Sequence, residues 1–138
     1  MLDSHFDITL KIMINLAVKS EEELNSESLA KVLGTNSAFI RKIMAKLSKA
    51  GLIQTKRGKL GGLSLMKNPK EISLRDIYLA VHERSKAQKV ARATTSCPVS
   101  CRAQAILLKL SSHLESAHLL VLSRIKLSHL AKDIINEK

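Results

Sequence analysis

Between residues 26 and 66 the apolar pattern changes period once, and that change limits the fold more than any other feature of the chain. Leu29, Ala30 and Leu33 recur at helical spacing, as do Ile40, Ile43, Met44 and Leu47. Two short β-capable runs follow, LIQTKR from position 52 and LSLM from position 63, on either side of the turn GKLGG. Steps of three and four residues place side chains on one helical face, whereas short runs around a glycine turn read as a hairpin. Ser26 is placed to cap the first helix and Gly34 to end it; Asn36 or Ser37 caps the second, which stops at Gly51. A short helix, a GTN turn, a longer helix and an immediate hairpin is the order of a winged helix-turn-helix. An ordinary αα-hairpin shares the helical spacing, so the polar face has to decide.

On that face Ala38, Arg41, Lys42, Ala45, Lys46 and Lys49 point away from the apolar stripe. A merely solvated helix mixes glutamates among its lysines to form i,i+4 pairs, and none is present here. The bias extends beyond the helix. Residues 35–70 hold nine Lys or Arg and no acid, and residues 84–114 hold six more, again without an acid. The formal charge of the 138 residues is +11. One-signed blocks of this length are the electrostatic footprint of a nucleic-acid binder, with a solvated basic face as the plainer alternative. In the hairpin, Arg57 and Lys59 give the tip its cations. Arg57 is suited to a narrow minor groove, and Gly61 and Gly62 let the backbone lie against phosphates.

The rest of the chain supports a mostly α architecture with one small β-hairpin. Phe6, Leu10, Met13 and Ala17 mark a first amphipathic helix over residues 3–19. Ser73 caps a fourth helix, with Asp76 closing a capping box and Ile77, Ala80 and Val81 inward. Residues 84–96 read as a partly mobile connector. Pro98 opens a fifth helix of about 25 residues, whose seam is Ile106, Leu110, Leu114, Ala117 and Val121, broadened by Leu107, Leu120 and Leu122. So wide an apolar face exceeds what a small domain covers, and a second copy of the chain is its simplest partner. Residues 128–135 form a last helix able to pack back on the first. The chain divides accordingly into a DNA-binding unit, 1–83, and a connector, dimerisation helix and terminal helix, 84–138. Aromatics are 2% of residues against 45% hydrophobic, so the core is aliphatic. No uninterrupted apolar run approaches about 18 residues and MLDSHFD lacks a secretory pattern; the expectation is a cytoplasmic protein without a membrane partner.

The stretches FDITLKIMINLA, SLAKVLGTNSAFIRKIMAKLSKAGLI, RGKLGGLSL, KEISLRDIYLAV and CPVSC, in this order and spacing, carry a family likeness. The chain resembles the bacterial winged-helix regulators that include IscR, NsrR and CymR, over nearly its whole length. The resemblance implies a homodimeric transcription regulator, usually a repressor, with a long crossed helix between subunits. It implies further that residues matching Asn36, Ser37, Ala38, Arg41, Lys42 and Arg57 meet a double-stranded operator. Leu63 stands where the family's wing commonly carries Tyr, and Asn36 where Ser is frequent. Iron–sulfur members carry three cysteines with five residues between neighbours. From Cys97 that spacing falls on Ala103 and Lys109, Cys101 is out of register, and there is no third cysteine. No cofactor of that kind, and no metal, is expected.

The two cysteines have chemistry of their own. Cys97 precedes a helix start, with Arg92 and Arg102 near in sequence, and both helix dipole and cations favour its thiolate. Cys101 is one turn on. Side chains at i and i+4 lie ~5–6 Å apart at Cβ, beyond the ~3.5–4.5 Å of a disulfide, so an intrachain bridge requires the first turn to unwind. A redox sensor at Cys97 and Cys101, open to an oxidant or small-molecule effector, stands beside the alternative of two small structural residues. Metal binding with His113 or His118 matches no usual zinc spacing. No catalytic constellation and no Walker ending is present, so no enzyme is expected. The reading is a dimeric, sequence-specific DNA-binding regulator. Its alternatives are a basic nucleoid or RNA-binding protein without operator specificity, and a metal-responsive regulator.

Overall fold

The computed structural model describes residues 3–19, 24–56, 62–82 and 98–137. The elements run α1 (Ser4–Val18), α2 (Ser26–Leu33), α3 (Ser37–Lys49), β1 (Ile53–Thr55), β2 (Leu63–Leu65), α4 (Leu74–Val81), α5 (Pro98–Arg124) and α6 (Leu127–Asn136). A mostly helical fold with one hairpin is therefore present, in the expected order.

The first four helices each start where a short polar side chain meets an orphan amide. Asp3 Oδ1 accepts from Phe6 N at 2.8 Å, and Asn36 Oδ1 from Phe39 N at 2.7 Å. Ser73 and Asp76 form the expected reciprocal box at the start of α4. At α2 the cap is Asn25, one residue before the expected Ser26: Asn25 Oδ1 accepts from Ser28 N and Asn25 N donates to Ser28 Oγ, while Ser26 is already helical. Gly34 ends α2 at φ +66°, and Gly51 follows α3 at φ +76°, the left-handed region that glycine enters at least cost.

The core is aliphatic around one phenylalanine: Phe6, Ile12, Met13, Leu29, Ile40, Ile43, Leu47, Ile53, Ile72, Ile77 and Leu127 are all but fully buried. α1 lies at its centre, covered by α2, α4, β2 and α6, which is why Thr9 and Leu16 are buried along with the expected Phe6, Leu10 and Met13. Met44 and Ala80 are only half-buried at the edge of this core.

α6 packs back against α1 as expected. The α5–α6 corner is fastened to the start of α4: Leu74 N donates to Ile125 O at 2.9 Å, and Leu127 N to Ile72 O at 2.8 Å. That corner turns Leu122 into the core at 5% exposure, so Leu122 does not widen the outer seam of α5. Residues 98–117 behave differently. All are exposed except half-buried Gln104, so this part of α5 is an arm standing off the domain. By length and composition α5 is also long and apolar enough to cross a membrane. The apolar stretch is not continuous, since Lys109, His113 and Glu115 fall within it.

Candidate nucleic-acid interface

The recognition helix of a helix-turn-helix needs one face held rigidly and the other left bare. In α3 Ile40, Ile43 and Leu47 fix the inner face. Ala38, Arg41, Lys42, Ala45 and Lys49 are exposed on the outer one, while Ser37 and Lys46 are half-buried. Ala38 and Ala45 keep this surface low, so a groove can approach the backbone closely.

Arg41 reaches back one turn, its guanidinium nitrogen 3.3 Å from Ser37 Oγ. Among the described residues no carboxylate pairs with Arg41, Lys42, Lys46 or Lys49. Two expected contact residues are partly committed inside the protein. Asn36 uses its side-chain oxygen for the cap, which leaves its carboxamide nitrogen as donor. Lys46 donates to Val81 O at 3.4 Å, a contact across thirty-five residues that no local pattern announces.

The hairpin is antiparallel, with Ile53 opposite Leu65, Gln54 opposite Ser64 and Thr55 opposite Leu63. Gln54 Nε2 donates to Ser64 Oγ across the strands at 3.1 Å. Lys56 N donates to Gly62 O at 3.0 Å, and Leu63 N to Leu24 O at 2.9 Å, anchoring the hairpin base to the segment before α2. The expected tip residues Arg57, Lys59 and Gly61 lie outside the described residues, as do Cys97 and the connector 84–96; Gly62 is placed at the hairpin base. Cys101 is exposed and free on the first turn of α5. Along the arm Ile106, Leu110, Leu114 and Val121 are between 51 and 65% exposed, and Ala117 is exposed with them.

A buried-side α3, its bare cationic outer face and a hairpin base two residues after the helix-ending glycine define a winged helix-turn-helix, a class of DNA-binding proteins. The Rrf2 family model, described as an iron-dependent transcriptional regulator, matches residues 2–133. The chain belongs to the Rrf2 family of winged helix-turn-helix DNA-binding transcription regulators. It is 27% identical over 110 residues to the HTH-type transcriptional regulator NsrR of Shouchella clausii, covering 77% of this chain and 74% of that one. It is 34% identical over 74 residues to NsrR of Oceanobacillus iheyensis, covering 53% of this chain and 50% of the relative. Among solved structures, T. potens IscR superposes with a TM-score of 0.71 at 22% identity, over 97% of this chain and 88% of its own. The oxidized form of Staphylococcus aureus CymR does so with 0.68 at 23%, over 95% of each.

The family description mentions iron, and the donor set of this chain does not fit a three-cysteine cluster. The chain has two cysteines. Cys101 faces outward, and among the described residues no group of three His, Cys, Asp or Glu side chains could hold a metal ion.

Proposed function

We propose that the chain is a homodimeric, sequence-specific repressor that reads its operator with α3 and the wing. The observation that carries this reading is the outer face of α3, cationic, low-profiled and without ion partners among the described residues. Residues 1–83 form the reading unit, and residues 84–138 join it to the partner subunit. Asn36, Ser37, Ala38, Arg41 and Lys42 enter the major groove, and Lys46 lies at its edge. Arg57 and Lys59, with Gly61 and Gly62, bring the wing to the minor groove and the adjoining phosphates.

The dimer is formed by the arm of α5. Ile106, Leu110, Leu114, Ala117 and Val121 cannot be covered by their own domain, since the arm stands clear of it. A bilayer is a poorer cover than a second arm. Arg102, Lys109, His113 and Glu115 are spread along the same stretch, and a charged residue inside a membrane costs at least ~2.5 kcal/mol, whereas two crossed arms leave those groups in water. Cys101, on the first turn of α5 at the end of the arm away from the α5–α6 corner, and Cys97, four residues before it in sequence, are the sensor, with an oxidant or electrophile as effector.

Selecting bound fragments from genomic DNA with the purified chain, reduced and oxidised, tests the reading. A recurring operator, bound far more tightly than bulk DNA at equal salt, is the expected result. Arg41→Ala then costs ~1–3 kcal/mol and relaxes preference at one base, and Arg57→Ala weakens sites with A·T-rich flanks most. Equal affinity for all fragments would instead mark a nucleoid-type binder.

A further inference from the structure

Four helices meet at the end of α4, and a histidine sits at their junction. His82 Nε2 lies 2.6 Å from Oδ2 of Asp3, the N-cap of α1, seventy-nine residues away. Its Nδ1 lies 3.3 Å from the carbonyl oxygen of Tyr78. The imidazole stacks on the Tyr78 ring, centroids 4.1 Å apart and 21° from parallel. Phe6 of α1 meets both rings edge-on, and His118 of α5 meets Tyr78 edge-on at 4.9 Å. One residue earlier, Val81 O accepts from Lys46 of α3.

Both ring nitrogens of His82 therefore face oxygen acceptors. A neutral imidazole has one N–H and serves one of them; only the imidazolium donates to both. The ring also lies at the C-terminal end of α4 and against the face of Tyr78. The charged and titratable groups around it are Asp3 and His5 from α1, Lys46 from α3, and His118 and Glu115 from α5. The Lys46 ammonium opposes a further cation. Lys46 is bonded to the Val81 carbonyl, and His5 packs edge-on against Phe39.

We propose that His82, held between Asp3 and Tyr78, is a proton-operated latch that ties the start of α1 to the end of α4 and tunes DNA affinity through Lys46. Protonated, the latch fixes the helix end that holds the recognition helix. Neutral, it gives up one of its two hydrogen bonds, and the end of α4 is held less tightly. Histidine is the side chain whose charge ordinarily changes between pH 5 and 8, and the test below spans that range. Its effect on DNA rests on the operator reading above; the latch itself does not.

Tyr78 is the one tyrosine and the chain has no tryptophan, so intrinsic fluorescence of the full chain reports this ring alone. The test follows that emission from pH 5 to 8.5, together with affinity at pH 6 and pH 8 for a fragment recovered by the selection above. Acidification should quench Tyr78 in the wild type. The transition should vanish in His82→Gln, weaken in Asp3→Asn, and survive in His118→Gln. Affinity should be ~5-fold or more tighter at pH 6, and His82→Gln should remove that excess. Asp3→Asn keeps an oxygen for the cap, so it tests the latch even where His82→Gln disturbs folding. A transition that persists in His82→Gln, or one lost only in His118→Gln, overturns the latch. An unchanged affinity ratio in His82→Gln overturns its coupling to DNA. Absence of any preferred fragment would fault the operator reading, while the fluorescence still decides the latch.

Discussion

The ammonium of Lys46, on α3, lies 3.4 Å from the carbonyl oxygen of Val81, the last residue of α4. Carbonyls at a helix C-terminus carry partial negative charge and have no partner within their own helix. Lys46 therefore fastens the recognition helix to its support. Lys46→Met should lower stability by about 0.3–1 kcal/mol, read as a shifted urea midpoint with unchanged slope. It should weaken DNA binding evenly across sequences. A midpoint that does not move, with a salt slope reduced by about one, would return Lys46 to the phosphates.

The arm of α5 exposes Leu110 and Leu114 on one side. Burying one leucine contributes roughly 1.5–3 kcal/mol, and two-fold symmetry repeats each contact. Leu110→Glu with Leu114→Glu should convert the proposed dimer to monomer or aggregate by light scattering, with helical content of the remaining chain retained. A stable dimer in that variant would place the interface elsewhere.

Asp3 titrates below the usual carboxyl value of 3.8, chiefly because Phe6 N–H donates to it and next because His82 does. The folded state holds this proton less readily than the unfolded chain. The stabilisation is therefore present above about pH 4 and disappears as pH falls through the lowered value. Asp3→Asn should flatten the acid limb of a pH–melting curve below pH 4. A limb identical to wild type would show that other carboxylates carry acid unfolding.

Tyr78 is shifted the other way: burial first, then the charges of Glu115 and Asp3, raise it above 10.0. Its neutral form is the one the fold favours, so stability should fall as pH rises past 10. Tyr78→Phe should reduce that alkaline loss in thermal melts.

Gly34 adopts φ +66° with open space where a Cβ would stand. Gly34→Ala should thus cost roughly 1–2 kcal/mol from backbone strain alone, without a clash. A loss well beyond that would imply a contact made only in the dimer or on DNA.

Cys97→Ser should leave basal DNA binding intact and remove any response to peroxide or diamide. Cys101→Ser should matter only where a disulfide, rather than simple modification, is the signal. Equal sensitivity of the wild type and the double variant, in a DNA-binding titration, would return both cysteines to packing.

What the sequence by itself determined is whatever a few neighbouring residues decide. The apolar spacing of Ile40, Ile43 and Leu47, the caps at Asn36 and Ser73, the glycines at 34 and 51, and the hairpin runs all act within one or two turns of chain. So do the bare cationic face of α3 and the misfit of Cys97 and Cys101 to a three-cysteine cluster. Local competition was close at two caps: at α3 between Asn36 and Ser37, where Asn36 takes the Phe39 amide, and at α2 between Asn25 and Ser26, where reciprocal bonding with Ser28 selects Asn25. Only the tertiary structure decided which side of α5 turns inward at Leu122, that Lys46 spends its charge on Val81, and that Asp3 and His82 meet across seventy-nine residues. The reason is physical. Periodicity names the face that seeks cover, but the cover comes from whichever element folding brings there, and a single polar side chain has no repeat by which to announce its distant partner.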